Sequence, residues 1–499
     1  MLRTGRGVPV GLPDCSPRRA QALENGGACG RIHAVLRERG IVMSASQALP
    51  ELVGRFVSEF GGRRPTWFIS APGRINLIGE HTDYNGFPVM PMAITLAIRM
   101  LLAPREDAQV ELKDVADSVY GGRQFALSQV IRPYAAGDWG NYVKAAVQSL
   151  VELALGKGRT LEDLKGMCCL VDGNIPPAAG LSSSTALVVA AGMAFCAVNR
   201  LGLGRHAMAE RMAEAEHYVG TQGGGMDQAV CLLAREGHVV KIGFFPLRAE
   251  QLPLARDYVI VAAHSTINAK KTGDLRLQYN RRVLECNIGA QLLARRLDMT
   301  PPARLADLAR PGGKSLGELL ALLDEVLTGQ ESLSLRRAAE IFDMDPGRFA
   351  RQFLRMKDGR LLPMPGDGLK VLRRCRHVLT EAGRTEQAAA CLKREDMAEL
   401  GHLIDESHRS CAEDYEISCY ELDLLVELMR GAGALGARLT GAGFGGFAIG
   451  LVHRDTAPQV KAALERSFYA PRRLSSGENV FVFHPAAGAL EEPLHAPMG

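Results

Sequence analysis

The run Gly180-Leu181-Ser182-Ser183-Ser184 sets a glycine and three hydroxyls between an apolar segment ending near Val171 and an apolar helical segment beginning at Thr185. A strand-to-helix junction of this kind gathers unpaired backbone N–H groups and the positive end of a helix dipole at one point, which suits a phosphate. Small residues let the backbone close on the anion, and serine hydroxyls add donors or a ligand for magnesium. The competing reading is a serine that only caps the helix. Three serines behind one glycine, preceded by Pro176-Pro177, exceed what a cap requires.

Two further clusters carry polar chemistry. Residues 71–86, Ala-Pro-Gly-Arg-Ile-Asn-Leu-Ile-Gly-Glu-His-Thr-Asp-Tyr-Asn-Gly, read as a glycine-punctuated loop between strands. Glu80 and Asp83, with His81 between them, suit a ligand rich in hydroxyls; a solvated turn or a His/carboxylate metal site fits the same residues. In Gly223-Gly224-Gly225-Met226-Asp227-Gln228 one carboxylate follows three glycines, which allow close approach of backbone to ligand. Asp227 reads equally as a general base or as a helix N-cap.

Two other motifs fail on context. Pro311-Gly312-Gly313-Lys314-Ser315 ends like a nucleotide-binding P-loop, but Leu308 stands where that loop needs glycine and no apolar strand precedes it. Gly441-Ala442-Gly443-Phe444-Gly445-Gly446 spells a dinucleotide fingerprint, yet a strand-like segment, 447–452, follows it near the C-terminus, where a helix is required. A glycine hairpin packed on a neighbouring loop fits better.

The elements that must position these residues are mixed. Strands are expected over 66–71, 87–102 and 167–171, and helices over 141–155, 182–198 and 421–430. Between about 287 and 362 proline- and glycine-punctuated short helices suggest an insertion. The chain has 499 residues and is 47% hydrophobic, enough for two or three domains with substantial cores. A net charge of +4 leaves no nucleic-acid footprint, so a small-molecule partner is expected. Eleven cysteines without a CxxC pair point to reduced thiols. The longest apolar run, 186–198, is too short to span a bilayer. Residues 1–45 are rich in arginine and poor in acids, and read as a disordered extension, a segment upstream of an alternative start at Met43, or a transit peptide.

Taken together, residues 73–84, 176–184 and 439–446 resemble the three signature motifs of the GHMP kinases in their usual order, and the first resembles the galactokinase signature. The likeness spans about 46–484 and is greatest to the eukaryotic N-acetylgalactosamine kinase branch, with support from 169–177, 223–228 and 414–419. It implies an α+β, two-domain fold with the active site between a ribosomal-S5-like N-terminal domain, 46–263, and a C-terminal domain, 264–484, followed by a tail, 485–499. It implies a cytoplasmic, monomeric enzyme that uses ATP and Mg2+ to phosphorylate C1 of N-acetylgalactosamine, with galactose as the alternative sugar. A non-catalytic galactose sensor is the weaker alternative, because the phosphate loop is intact. The resemblance assigns Asp227 as base, Arg74 as its cationic partner, and Glu80, His81, Asp83, Gly224 and Tyr279 as sugar contacts. It sets Trp139 against adenine, Gly180, Leu181, Ser182, Ser183 and Ser184 around the phosphates, and Ser184 toward Mg2+. Tyr279 departs from the phenylalanine of the N-acetylgalactosamine kinase and matches galactokinases.

Overall fold

The structure, a computed structural model, describes residues 45–494 apart from 178–179, 221–223, 268–273, 301, 303, 310–311 and 357–358. The reading of residues 1–45 therefore lies outside the described residues, save Ala45.

A six-stranded sheet forms the first lobe, in the order β12 (Leu490–Pro493), β1 (Trp67–Asn76), β2 (Pro91–Arg105), β5 (Gly166–Gly173), β3 (Gln109–Asp114), β4 (Arg123–Ala126). All neighbours are antiparallel except β3 and β5. Both faces are covered. Ile69, Met100, Leu102, Cys169 and Val171 point into the main core, while Phe68, Leu101, Ala103, Cys168 and Leu170 pack against Leu52 and Phe56 of α1 (Ala45–Glu59). Successive strand residues face opposite sides, so a sheet buried on both reads as a continuous apolar run.

On the inner face lie α2 (Gly140–Gly156), α3 (Ser183–Asn199) and α4 (Met226–Leu233). Helix α3 is apolar around nearly its whole circumference, as expected of a helix packed on both the sheet and α2.

A second sheet runs β11 (Val480–Phe483), β8 (Tyr258–His264), β10 (Phe447–His453), β9 (Gly436–Thr440). Its Ile260, Ala262, Ile449 and Leu451 join the first core, and its Val259, Val261, Ala448 and Val452 join a second core, so this sheet separates the two. On it pack α7 (Met397–Glu413) and α8 (Tyr420–Gly431), with α6 (Val371–Arg394) against α7 and α5 (Asp274–Arg296) against α6.

Four sequence expectations shift. Strand β1 continues through Arg74 to Asn76, so the first polar cluster is strand for its first half and not loop throughout. Strand β8, read as part of the N-terminal domain, pairs with β10 and β11 in the second sheet. The helical stretch expected from 287 starts at Asp274, ahead of its prolines. The segment read as a tail includes β12, which pairs with Trp67–Ser70. The two dismissed motifs behave as expected: Ser315 caps the helix Leu316–Val326 in a capping box with Glu318, and 441–446 joins β9 to β10. Among the described residues no helix is long and apolar enough to cross a membrane.

Candidate active site

A cavity of about 620 Å³ opens between the lobes. Its wall brings together Arg74, Glu80, His81, Asp83, Trp139, Gly180, Ser182, Ser183, Ser184, Gly224, Asp227 and Tyr279, which lie far apart in sequence. Leu181, the remaining predicted residue, is fully buried beneath the loop, and its carbonyl accepts the Arg74 N–H.

The phosphate loop departs from an ordinary helix start. Ser182 sits at the N-cap position of α3 with φ 60°, a left-handed conformation uncommon outside glycine, and makes no side-chain cap bond. Its hydroxyl donates to Asp227 Oδ2 instead. The cap alternative fails here, and a strained non-glycine residue beside a cavity marks a functional turn. Asp227 is not a cap either: Gly225, at φ 92°, occupies that position and Asp227 lies in the first turn of α4, where the helix dipole favours its charge.

Arg74 meets Asp227 in a two-pronged contact, Nε to Oδ1 at 2.8 Å and Nη2 to Oδ2 at 2.9 Å, while Nη1 donates to the Gly180 carbonyl at 2.5 Å. The guanidinium is buried and the carboxylate remains 24% exposed to the cavity. A carboxylate oxygen accepts two hydrogen bonds, so Oδ1 keeps a free acceptor site toward an arriving hydroxyl.

At the other end Asp83 Oδ2 accepts the Gly224 N–H at 3.1 Å. A Cβ on Gly224 would stand 2.2 Å from that oxygen, so only glycine fits. Burial, with the nearby Asp227 charge, raises the Asp83 pKa. Burial also pushes Glu80 up to about 7, against the pull of Arg438 and Arg74. Arg438 Nη2 lies 2.9 Å from Glu80 Oε2, at ion-pair distance but out of hydrogen-bond alignment, so this oxygen has no aligned partner among the described residues.

His81 lines the cavity, with both ring nitrogens bonded to the protein. Its Nε2–H donates to the Ala442 carbonyl at 3.2 Å and its Nδ1 accepts from the Tyr84 hydroxyl at 2.9 Å. Burial holds it neutral, with a pKa near 3. Both ring nitrogens are spent on the protein, so His81 ties the first signature to the 441–446 turn, and only its ring faces the cavity beside Tyr279, 5.4 Å between centroids.

Trp139 donates Nε1–H to the Tyr120 carbonyl at 2.9 Å, and with Val115, Val119 and Leu187 makes an apolar part of the cavity wall. Ser184 lines the cavity wall together with Tyr142. Next to it Thr185 donates to Glu216 Oε1 at 2.5 Å, and Glu216 lines the same cavity.

Sequence reasoning missed Glu216, Arg438, Glu381 and His377. Arg438 had one visible signal, a lone charge in the apolar stretch Gly436-Ala437-Arg438-Leu439. The residues Arg374, His377, Glu381 and Thr385 fall on one face of α6, and all are fully buried.

Comparison with known proteins gives a consistent likeness. The galactokinase galactose-binding signature matches residues 54–104, the GHMP kinase N-terminal domain 141–235 and the GHMP kinase C-terminal domain 388–470. A galactokinase of Dictyostelium discoideum is 30% identical over 477 residues, 88% of this chain and 93% of its own. The crystal structure of Lactococcus lactis galactokinase with galactose superposes with a TM-score of 0.69 at 29% identity, covering 89% of this chain and 99% of that one. The mevalonate kinase of Methanococcus jannaschii, at 16% identity and a TM-score of 0.50 over 86% of this chain and 98% of its own, shares the fold alone.

Proposed function

Because the chain belongs to the galactokinase group of the GHMP kinase family, we propose that this sugar kinase transfers the γ-phosphoryl group of ATP to the anomeric hydroxyl of galactose. The sugar thereby moves from the N-acetylgalactosamine expected of the sequence to its alternative. Support comes from the galactokinase relatives and from Tyr279, whose ring stands beside His81 in the cavity wall.

The observation that carries the reading is the Arg74–Asp227 contact, seated between the serine loop and the Glu80–Asp83 cluster in one cavity. Asp227 takes the proton from the C1 hydroxyl through the free acceptor site of Oδ1. The oxygen attacks the γ-phosphorus, the bond to the β-phosphate oxygen breaks, and ADP leaves with that electron pair. Arg74 holds the Asp227 carboxylate in place by its two-pronged contact and offsets negative charge on the transferring group. The serine loop and the start of α3 hold the phosphates, the apolar wall near Trp139 takes the adenine, and Asp83, Gly224, Glu80 and Tyr279 line the sugar's place.

Among the described residues no three metal-ligating side chains cluster, so magnesium would draw most of its ligands from phosphate and water. The protein oxygens suited to it are the Ser184 hydroxyl and the Glu216 carboxylate, hard donors on one wall of the cavity. The bound ion would neutralise phosphate charge.

Purified protein supplied with ATP and magnesium is expected to release ADP with galactose, and with N-acetylgalactosamine at a lower kcat/KM. Absence of ADP release with both sugars overturns the kinase reading; a higher kcat/KM for N-acetylgalactosamine overturns the choice of sugar.

A further inference from the structure

Helix α6 turns an entirely buried polar stripe toward the first signature. Arg374, His377, Glu381 and Thr385, spaced three and four residues apart, are each fully buried. Burying that many polar groups is costly unless each has a partner, and here the partners are specific. Glu381 Oε1 accepts the Gly79 N–H at 2.8 Å and the Ser407 hydroxyl at 2.6 Å, and its Oε2 accepts Arg384 Nε at 2.8 Å. His377 donates Nε2–H to the Glu80 carbonyl at 3.1 Å. Thr385 donates to the Glu381 carbonyl at 2.8 Å. Two residues of one helix therefore grip the backbone on both sides of the Glu80 side chain, from a position 302 residues along the chain.

Arg438 joins the two carboxylates. It lies 2.9 Å from Glu80 and 4.0 Å from Glu381, and it too is fully buried. We propose that Glu381 is a positioning residue for the sugar: it fixes the Gly79–Glu80 turn and, by sharing Arg438, sets the charge that the Glu80 carboxylate presents to the cavity. The proposal rests on the sugar-kinase reading of that cavity.

The surroundings of Glu80 bear this out from every side. Arg74 and Asn76 face it from β1, Arg438 from β9, Glu381 from α6, Cys411 from α7 and Tyr279 from α5. Among the described residues around Glu80, Glu381 adds a fixed negative charge next to Arg438. Burial opposes ionisation of Glu381, yet Arg384 and Arg438 outweigh it and hold its carboxyl at about 2. Burial raises Glu80 to about 7, because both of its cations are shared, Arg438 with Glu381 and Arg74 with Asp227. A sugar hydroxyl meeting the cavity face of the Glu80 carboxylate binds best when Glu80 is ionised.

The test is steady-state kinetics of wild type, Glu381→Gln and Glu381→Ala with galactose and ATP, from mildly acidic to mildly alkaline pH, alongside thermal melts. Glu381→Gln keeps the shape and an acceptor but removes the competing charge, so the acid limb of kcat/KM for galactose is expected to move about 0.5–1 pH unit lower. Glu381→Ala also releases the turn, and the KM for galactose is expected to rise about 10-fold while that for ATP changes less than about twofold. An unmoved acid limb in Glu381→Gln overturns the proposal, as does an equal rise in both KM values in Glu381→Ala. If Glu381→Ala does not fold, the pH profile of Glu381→Gln decides alone. Wild-type protein inactive on galactose would bring down the sugar reading itself, a result distinct from active wild type with unchanged variants.

Discussion

At the phosphate end of the cavity Arg74, Gly180, Ser182 and Asp227 all come from the first lobe and satisfy one another directly, with the carboxylate still partly open to solvent. At the opposite end Glu80 is closed in and depends on Arg438, Glu381 and His377, which arrive from β9 and α6 of the second lobe. The first arrangement holds the Arg74–Asp227 pair by contacts within one lobe. The second makes the cavity-lining Glu80 part of the packing between lobes, where a lone buried charge costs several kcal/mol and must be matched. Damage at the phosphate end should therefore cost rate, and damage at the other end should cost stability and sugar affinity together.

The largest effect expected is at Asp227. Asp227→Asn keeps the side-chain shape but replaces one acceptor oxygen by an NH2 donor and cannot take a proton, so kcat should fall about 10³- to 10⁴-fold while calorimetry still shows nucleotide binding. A variant that unfolds, or that keeps turning over, would erase the contrast between the two ends.

Next comes Arg438→Met, which leaves Glu80 and Glu381 buried without their shared cation. Breaking a buried pair in this way costs about 3–5 kcal/mol, readable as a lower denaturant midpoint. A loss under about 1 kcal/mol would mean that the carboxylates find other partners or simply protonate, and that the interlobe network does not depend on this arginine.

The smallest effect concerns acid sensitivity. Burial holds His377 neutral, with its pKa lowered from the ordinary 6.5 to about 4. The stability this confers is present above pH 6.5 and is lost as pH falls toward 4, at about 1.4 kcal/mol per pH unit. His377→Gln keeps a donor toward the Glu80 carbonyl and should flatten the decline of stability across that window. Asp227→Asn should keep the wild-type slope; equal slopes in all three proteins would refute the placing of the acid-sensitive group between the lobes.

How much could be read without coordinates follows the same division. The serine loop, the glycines before Asp227 and the 441–446 turn were legible because each is a local statement: a glycine in left-handed backbone, an anion site at a helix start, a hydroxyl next to its neighbour in sequence. Arg74 was visible as a functional group but was placed in a loop, since nothing local shows that β1 continues through Gly73, whose Cβ position is closed by the Leu181 carbonyl oxygen at 2.6 Å. Strand β12 was invisible, four residues whose partner is the edge of β1 over 400 positions earlier. His81 was assigned to the ligand by its company, and it does line the cavity, its nitrogens serving Tyr84 and Ala442.

The amino-acid sequence by itself determined that this chain holds an anion loop, a carboxylate poised behind glycines and a polar cluster between apolar strands, and its ordered motifs disclosed the family. Tertiary structure alone decided that Asp227 meets Arg74, that β8 joins the second sheet, and that the polar stripe of α6 is buried. The physical reason is range. Backbone conformation and helix dipoles act over a few residues and leave marks in adjacent letters, but a buried charge is matched by whatever folding brings within about 4 Å, and that partner can lie anywhere along the chain.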